Sequence, residues 1–320
     1  MFWPLLAGAE PPRLSLPLAC SPGETCWVVS YVDLDPSTRV RDYGCGDATS
    51  DGHKGTDFAI RDKEAMRLGV PVVAAAAGVV AGVRDGMKDG DFQEPGGAER
   101  IRGKECGNGV NISHGDGWST VYCQMQRNTI RVKKGDKVEA GTRLGLVGES
   151  GDAPFPQLRF QVMHGKEAVD PFLGAGRKEG ESCGPARTHL WTQETLAGLP
   201  YRPTAFYSAG FAPGEPKTAG VRAGLYHDGV LPPQAPALVF WVDIFNPRAG
   251  DRLTIVITGP DGEELIRHGN KLDQDQSRRL AFAGVKRKGF SWTEGTYVGE
   301  ALLERKGIPD LRVKREVVVK

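Results

Sequence analysis

The chain has 320 residues, 39% of them hydrophobic and 25% charged, and Lys+Arg 41 against Asp+Glu 40 leaves a net charge of +1. That length suits about two domains of roughly 150 residues each, no run approaches the roughly 18 to 20 apolar residues that cross a bilayer, and the even charge balance leaves no electrostatic footprint for nucleic acid. The 43 glycines favour tight turns and short strands over a mainly helical protein.

Residues 1–48 are proline-rich and irregular, with one strand-like run at 26–32. The opening apolar run (Phe2, Trp3, Leu5, Leu6) has no basic segment before it and does not read as a signal peptide. From 49 to 175, short β-branched runs alternate with glycines, at 70–77, 78–83, 109–113, 119–124, 129–132, 143–147 and 158–163. His114-Gly115-Asp116-Gly117 marks a hairpin turn, residues 61–68 are the one helical candidate, and the charged, glycine-rich stretch 85–104 reads as a surface loop.

Periodicity is lost after Pro171, and 176–199 reads as a linker. Residues 200–320 open as proline-dense coil and then alternate: Leu238, Phe240, Val242 and Ile244 on one side of a strand, Val239, Trp241 and Phe245 on the other. Further runs at 253–258, 279–282, 296–303 and 313–319, separated by Pro/Gly turns, suggest an immunoglobulin-like β-sandwich. The expected fold class is mainly β, a β-sheet domain followed by this sandwich.

All six cysteines (Cys20, Cys26, Cys45, Cys106, Cys123, Cys183) precede residue 184. The count is even and no C-x-x-C pair occurs, so disulfides in an oxidising compartment are the better reading than zinc or redox chemistry. Cys20 and Cys26 can close a small loop; the pairing of the other four is open.

One stretch carries chemistry: Asp51-Gly52-His53-Lys54-Gly55-Thr56-Asp57-Phe58-Ala59. The glycines disfavour a helix, and in an extended segment His53 and Asp57 can project from one face. Imidazole and carboxylate are zinc ligands, but zinc needs at least a third from the protein.

In order along the chain, this motif, the run Gly69-Val70-Pro71-Val72-Val73-Ala74, the segment Gly107-Asn108-Gly109-Val110-Asn111-Ile112-Ser113-His114, the tetrad Tyr122-Cys123-Gln124-Met125, Leu144-Gly145-Leu146-Val147-Gly148 and the final Val169-Asp170-Pro171 resemble the LytM/lysostaphin-like zinc metallopeptidases over about residues 50–173. The resemblance implies a duplicated-hybrid-motif β-sheet domain at 49–175, an endopeptidase ancestry acting on peptidoglycan cross-links, and a periplasmic or secreted location. It assigns His53 and Asp57 as zinc ligands. The third ligand position holds Arg159, and the two catalytic histidine positions hold Gln124 and Gln157.

Arginine offers no lone pair to a metal, and glutamine neither takes nor gives a proton near neutral pH. The expected site is therefore a binding groove formed by His53, Asp57, Tyr122, Gln124, Gln157 and Arg159, with His53 and Asp57 as remnant ligands, no catalytic residue and no cofactor. Arg159 is expected to take the place of the cation beside Asp57. The leading functional expectation is a non-catalytic envelope protein that binds peptidoglycan peptide or regulates a cell-wall hydrolase. The alternatives are an active zinc endopeptidase with an unrecognised ligand, and a structural or adhesive protein acting through its C-terminal sandwich.

Overall fold

The structure is a computed structural model that describes residues 10–90, 92, 94–174 and 183–320. The opening apolar run and residues 176–182 of the expected linker lie outside the described residues. The chain divides into two units, one of residues 1–60 and 65–202, the other of residues 61–64 and 203–320. No helix among the described residues is long and apolar enough to cross a membrane.

The elements up to residue 202 run β1 (Cys26–Ser30), β2 (Thr56–Ile60), α1 (Lys63–Leu68), β3 (Pro71–Val73), β4 (Gly78–Arg84), α2 (Gly97–Arg100), β5 (Asn108–Gly115), β6 (Trp118–Met125), β7 (Lys137–Val138), β8 (Arg143–Leu146), β9 (Gln157–His164), β10 (Glu167–Val169) and α3 (Gln193–Gly198). One antiparallel sheet takes the order β1-β2-β9-β6-β5-β4-β7, with β10 added to β9, and β3 pairs with β8 in a small second sheet. Alternation decides the faces: Phe58, Leu158, Phe160, Val162 and Tyr122 point into a core shared with Val72, Leu144 and Val147. Each such side chain contributes about 1.5–3 kcal/mol on burial.

Two expectations for this part change. The segment 183–199 is not a free linker: Leu190, Trp191 and Leu199 are buried in the same core, and Leu14 N donates to Leu190 O at 2.8 Å while Thr192 N donates to Leu14 O at 2.9 Å. The stretch 129–132 forms no strand, because Ile130 and Val132 pack against the core from a loop. Three disulfides tie the unit, Cys20–Cys26, Cys45–Cys183 and Cys106–Cys123, and no free cysteine remains.

The second unit contains β11 (Ala205–Ala212), α4 (Thr218–Ala223), β12 (Val230–Leu231), β13 (Ala237–Phe245), β14 (Arg252–Thr258), β15 (Glu264–Lys271), β16 (Arg278–Lys286), β17 (Gly295–Glu304) and β18 (Leu311–Val319). A three-stranded sheet, β11-β13-β16, and a five-stranded sheet, β12-β18-β17-β14-β15, close on one core. Leu238, Phe240, Val242 and Ile244 of the first sheet meet Leu253, Ile255, Ile257, Leu303 and Val317 of the second. That is the layering of a β-sandwich. β11 falls where coil was expected. β15 lay in a gap between expected runs, because as an exposed edge strand, ELIRHGNK, it has almost no apolar face to reveal it.

Candidate functional site

The site is built on the face of the large sheet opposite the core. β2 and β9 pair so that Asp57 stands opposite Arg159, and β9 and β6 pair so that Arg159 stands opposite Cys123. Directly opposed side chains lie about 4.5–5.5 Å apart at Cβ, so register alone brings Asp57 and Arg159 together. Gln157, two residues before Arg159, shares the face. Gly55 leaves the room: a Cβ there would sit 2.9 Å from Arg159 Cγ and 3.1 Å from the Phe160 carbonyl oxygen.

His53 enters from the turn before β2. Its backbone N–H donates to Ser50 O at 2.9 Å, its carbonyl accepts from Asp33 N at 2.8 Å, and the Asp33 carboxylate accepts from Gly52 N at 2.9 Å. The imidazole Nε2 comes to 3.4 Å from Asp57 Oδ1.

Asp57 is the hub. Its Oδ1 accepts from Arg159 Nε at 3.1 Å and its Oδ2 from Arg159 Nη2 at 3.3 Å, a side-on two-point pair. Gln157 Nε2 lies 3.4 Å from Oδ2 and donates to Gln124 Oε1 at 2.9 Å. Gln124 Nε2 in turn donates to the carbonyl of Asp152. The network is nearly closed to solvent: the side chains of Asp57 and His53 are each 6% exposed, and that of Arg159 is 19% exposed. Burial alone would raise the Asp57 pKa, but the charges and hydrogen bonds of His53 and Arg159 outweigh it and hold the carboxyl below its ordinary range.

Gln124 reaches this network through an unusual backbone. Near the end of β6 it has φ 67°, the left-handed region, and its N–H donates to Cys106 O at 2.7 Å. The Cys106–Cys123 disulfide holds that carbonyl next to it. Tyr122 corrects an expectation, because it does not line the groove. Its ring packs on Phe160 on the core face, and its hydroxyl accepts from Ala75 N at 2.7 Å and from Thr120 Oγ1 at 3.2 Å. The β period of two puts it on the side opposite Cys123 and Arg159. His114, which closes this second chain through Thr120 Oγ1 at 2.9 Å and Ala77 O at 2.7 Å, is committed to structure.

Sequence reasoning brings His53, Asp57, Gln124, Gln157 and Arg159 to one place, and the structure does the same. It missed the carbonyl of Asp152, a backbone atom with no residue-type signal, and the Asp33 carboxylate, 20 residues before His53, which holds the turn through Gly52.

These donors do not fit a zinc ion. Both Asp57 oxygens already accept hydrogen bonds, and the group beside them is a guanidinium with a permanent charge and no lone pair. Among the described residues no group of three or more His, Cys, Asp or Glu side chains is placed to hold a metal ion.

Comparison with known proteins agrees on the domain. The model of the family described as Peptidase family M23 matches residues 51–171. The peptidoglycan DD-endopeptidase ShyA of Vibrio cholerae is 33% identical over 111 residues, 35% of this chain and 20% of that protein. Among solved structures, the catalytic domain of the prophage-encoded M23 protein EnpA from Enterococcus faecalis is 24% identical, with TM-score 0.34, covering 53% of this chain and 100% of that one. The catalytic domain of lysostaphin from Staphylococcus simulans is 22% identical, with TM-score 0.29, covering 44% and 85%. On the family model and the sequence relative, residues 51–171 are a Peptidase family M23 domain of LytM type, and the chain spans about a fifth of the length of ShyA, one of the curated relatives it matches.

Proposed function

We propose that this protein is a non-catalytic member of the cell-envelope machinery, working outside the cytoplasm by binding peptidoglycan peptide or a cell-wall hydrolase. The observation that carries this reading is the side-on Arg159–Asp57 pair: in the arrangement implied by the LytM-type resemblance, the guanidinium stands at the third ligand position and supplies the positive charge that a cation would otherwise bring. Gln124 and Gln157 stand where proton-transferring histidines are expected, and their amides are spent on Asp152 O, on each other and on Asp57. Neither amide can act as general acid or base.

The similarity to an enzyme whose name places it on peptidoglycan supports the choice of partner, and the three disulfides agree with an oxidising, extracytoplasmic compartment.

The test uses the purified full chain. Elemental analysis is expected to find no stoichiometric zinc, and incubation with purified peptidoglycan is expected to release no soluble fragments, while the protein still sediments with the polymer or with a hydrolase bound to it. Arg159→His combined with Gln157→His and Gln124→His should recover zinc binding. Stoichiometric zinc together with turnover in the unaltered protein would refute the proposal in favour of an active zinc endopeptidase.

A further inference from the structure

The connection between β16 and β17 presents an apolar side chain that nothing among the described residues covers. Phe290 is 98% exposed, the most exposed of the large hydrophobic residues among those described. It follows the basic run Lys286-Arg287-Lys288, in which Lys286 and Lys288 are exposed.

This loop is pinned on both sides. Arg287 N donates to Pro236 O at 3.0 Å, Trp292 N donates to Pro233 O at 2.8 Å, and Trp292 Nε1 donates to Ala235 O at 2.8 Å. The Trp292 ring packs against the sandwich core. Between these anchors the Arg287 guanidinium donates to the carbonyls of Gly289 and Phe290 (the latter at 2.6 Å), closing the turn from inside. Residues 288–291 are exposed, and the carbonyls of Gly289 and Phe290 are bonded in place. A phenyl ring held in water on an anchored turn forgoes the stabilisation it would gain on burial, and here it stands close in the chain to two exposed lysines, Lys286 and Lys288.

We propose that this loop tip docks on an anionic lipid bilayer, with Phe290 entering the boundary between headgroups and acyl chains and the exposed Lys286 and Lys288 facing the headgroup phosphates. The exposure argues for a bilayer over a protein or a glycan: among the described residues no wall flanks the ring, so its partner must surround it, which a deformable apolar layer does. The charge argues for an anionic surface, since each Lys or Arg close to one adds attraction that decays within a Debye length. A single aromatic anchor and two exposed cations make a reversible contact, not an insertion. The acidic Glu294 lies four residues beyond Phe290 in the chain.

The test is co-sedimentation of the full chain with vesicles of equal parts phosphatidylglycerol and phosphatidylcholine, and with phosphatidylcholine alone. Binding is expected to the anionic vesicles, weakening as salt is raised. Phe290→Ala should weaken it by about tenfold or more, the change for about 1.4 kcal/mol or more of lost burial. Lys286→Glu with Lys288→Glu should remove its salt dependence. Phe290→Trp should keep binding, and its fluorescence should be quenched by brominated acyl chains. All three positions are exposed, so the variants are expected to fold as the parent does. The inference is overturned if neither vesicle is bound, if Phe290→Ala binds as well as the parent, or if Phe290 is needed for sedimentation with peptidoglycan but not with vesicles. None of these outcomes bears on the zinc and hydrolysis test of the M23 domain.

Discussion

Arg159→Met removes the guanidinium but keeps an unbranched stem beside Gly55. Asp57 then loses two of its hydrogen bonds, from Nε at 3.1 Å and Nη2 at 3.3 Å, and keeps Gln157 Nε2 at 3.4 Å. Removing one partner of a buried pair costs about 3–5 kcal/mol. The Arg159 side chain is 19% exposed, so water relieves part of that, and we expect about 2–4 kcal/mol. The sign of the pH dependence follows from Asp57. Its folded pKa lies below the ordinary carboxylate value, so its ionisation stabilises the fold above that value and the contribution fades as pH falls through the folded pKa. Without the guanidinium, burial is less opposed, the carboxyl protonates more readily, and a neutral carboxyl has less need of a cation. The gap between parent and variant should therefore be full at about pH 7 and shrink at about pH 4. Equilibrium urea unfolding at both values measures it. Repeating the substitution on an Asp57→Asn background gives the coupling energy. There the arginine has no carboxylate to pair with, so Arg159→Met should cost little or even stabilise. An equal cost on both backgrounds and at both pH values would refute the surrogate-cation reasoning.

Two further outcomes probe the scaffold. Gly55→Ala places a methyl 2.9 Å from Arg159 Cγ and against the Phe160 carbonyl; it should cost about 1–3 kcal/mol as overpacking, read as a lower thermal midpoint. A midpoint equal to the parent's would mean that β2 and β9 have room that the structure does not give them. Tyr122→Phe removes the oxygen that accepts from Ala75 N and should cost about 1–3 kcal/mol for a buried N–H left unpaired, without changing partner binding. Loss of binding at unchanged stability would put Tyr122 back in the groove.

Residue identity carried the site a long way. His53 and Asp57 are residue types that can ligate zinc, and the resemblance to the LytM-type family is what singles out Arg159, Gln124 and Gln157 as the positions to set beside them. The mainly β class was equally legible, since β-branched runs between glycine turns leave few other solutions. An even cysteine count limited to the first 183 residues pointed to bridges, although only Cys20–Cys26 could be paired by proximity along the chain.

Tertiary structure decided what depends on register and on long-range packing. That Arg159 meets Asp57 side-on follows from a pairing across 102 residues, which no local pattern encodes. Tyr122 left the groove because one residue of strand phase separates the two faces of a sheet, and a sequence fixes that phase only once the partner strands are known. Cys45 found Cys183 over a separation of 138 residues, and the segment after it became part of the core because Leu190 and Trp191 had an apolar surface to bury against. The edge strand β15 and the bare Phe290 lay beyond sequence reasoning for the same reason: exposure is a property of what surrounds a residue, and the chain order does not list those neighbours.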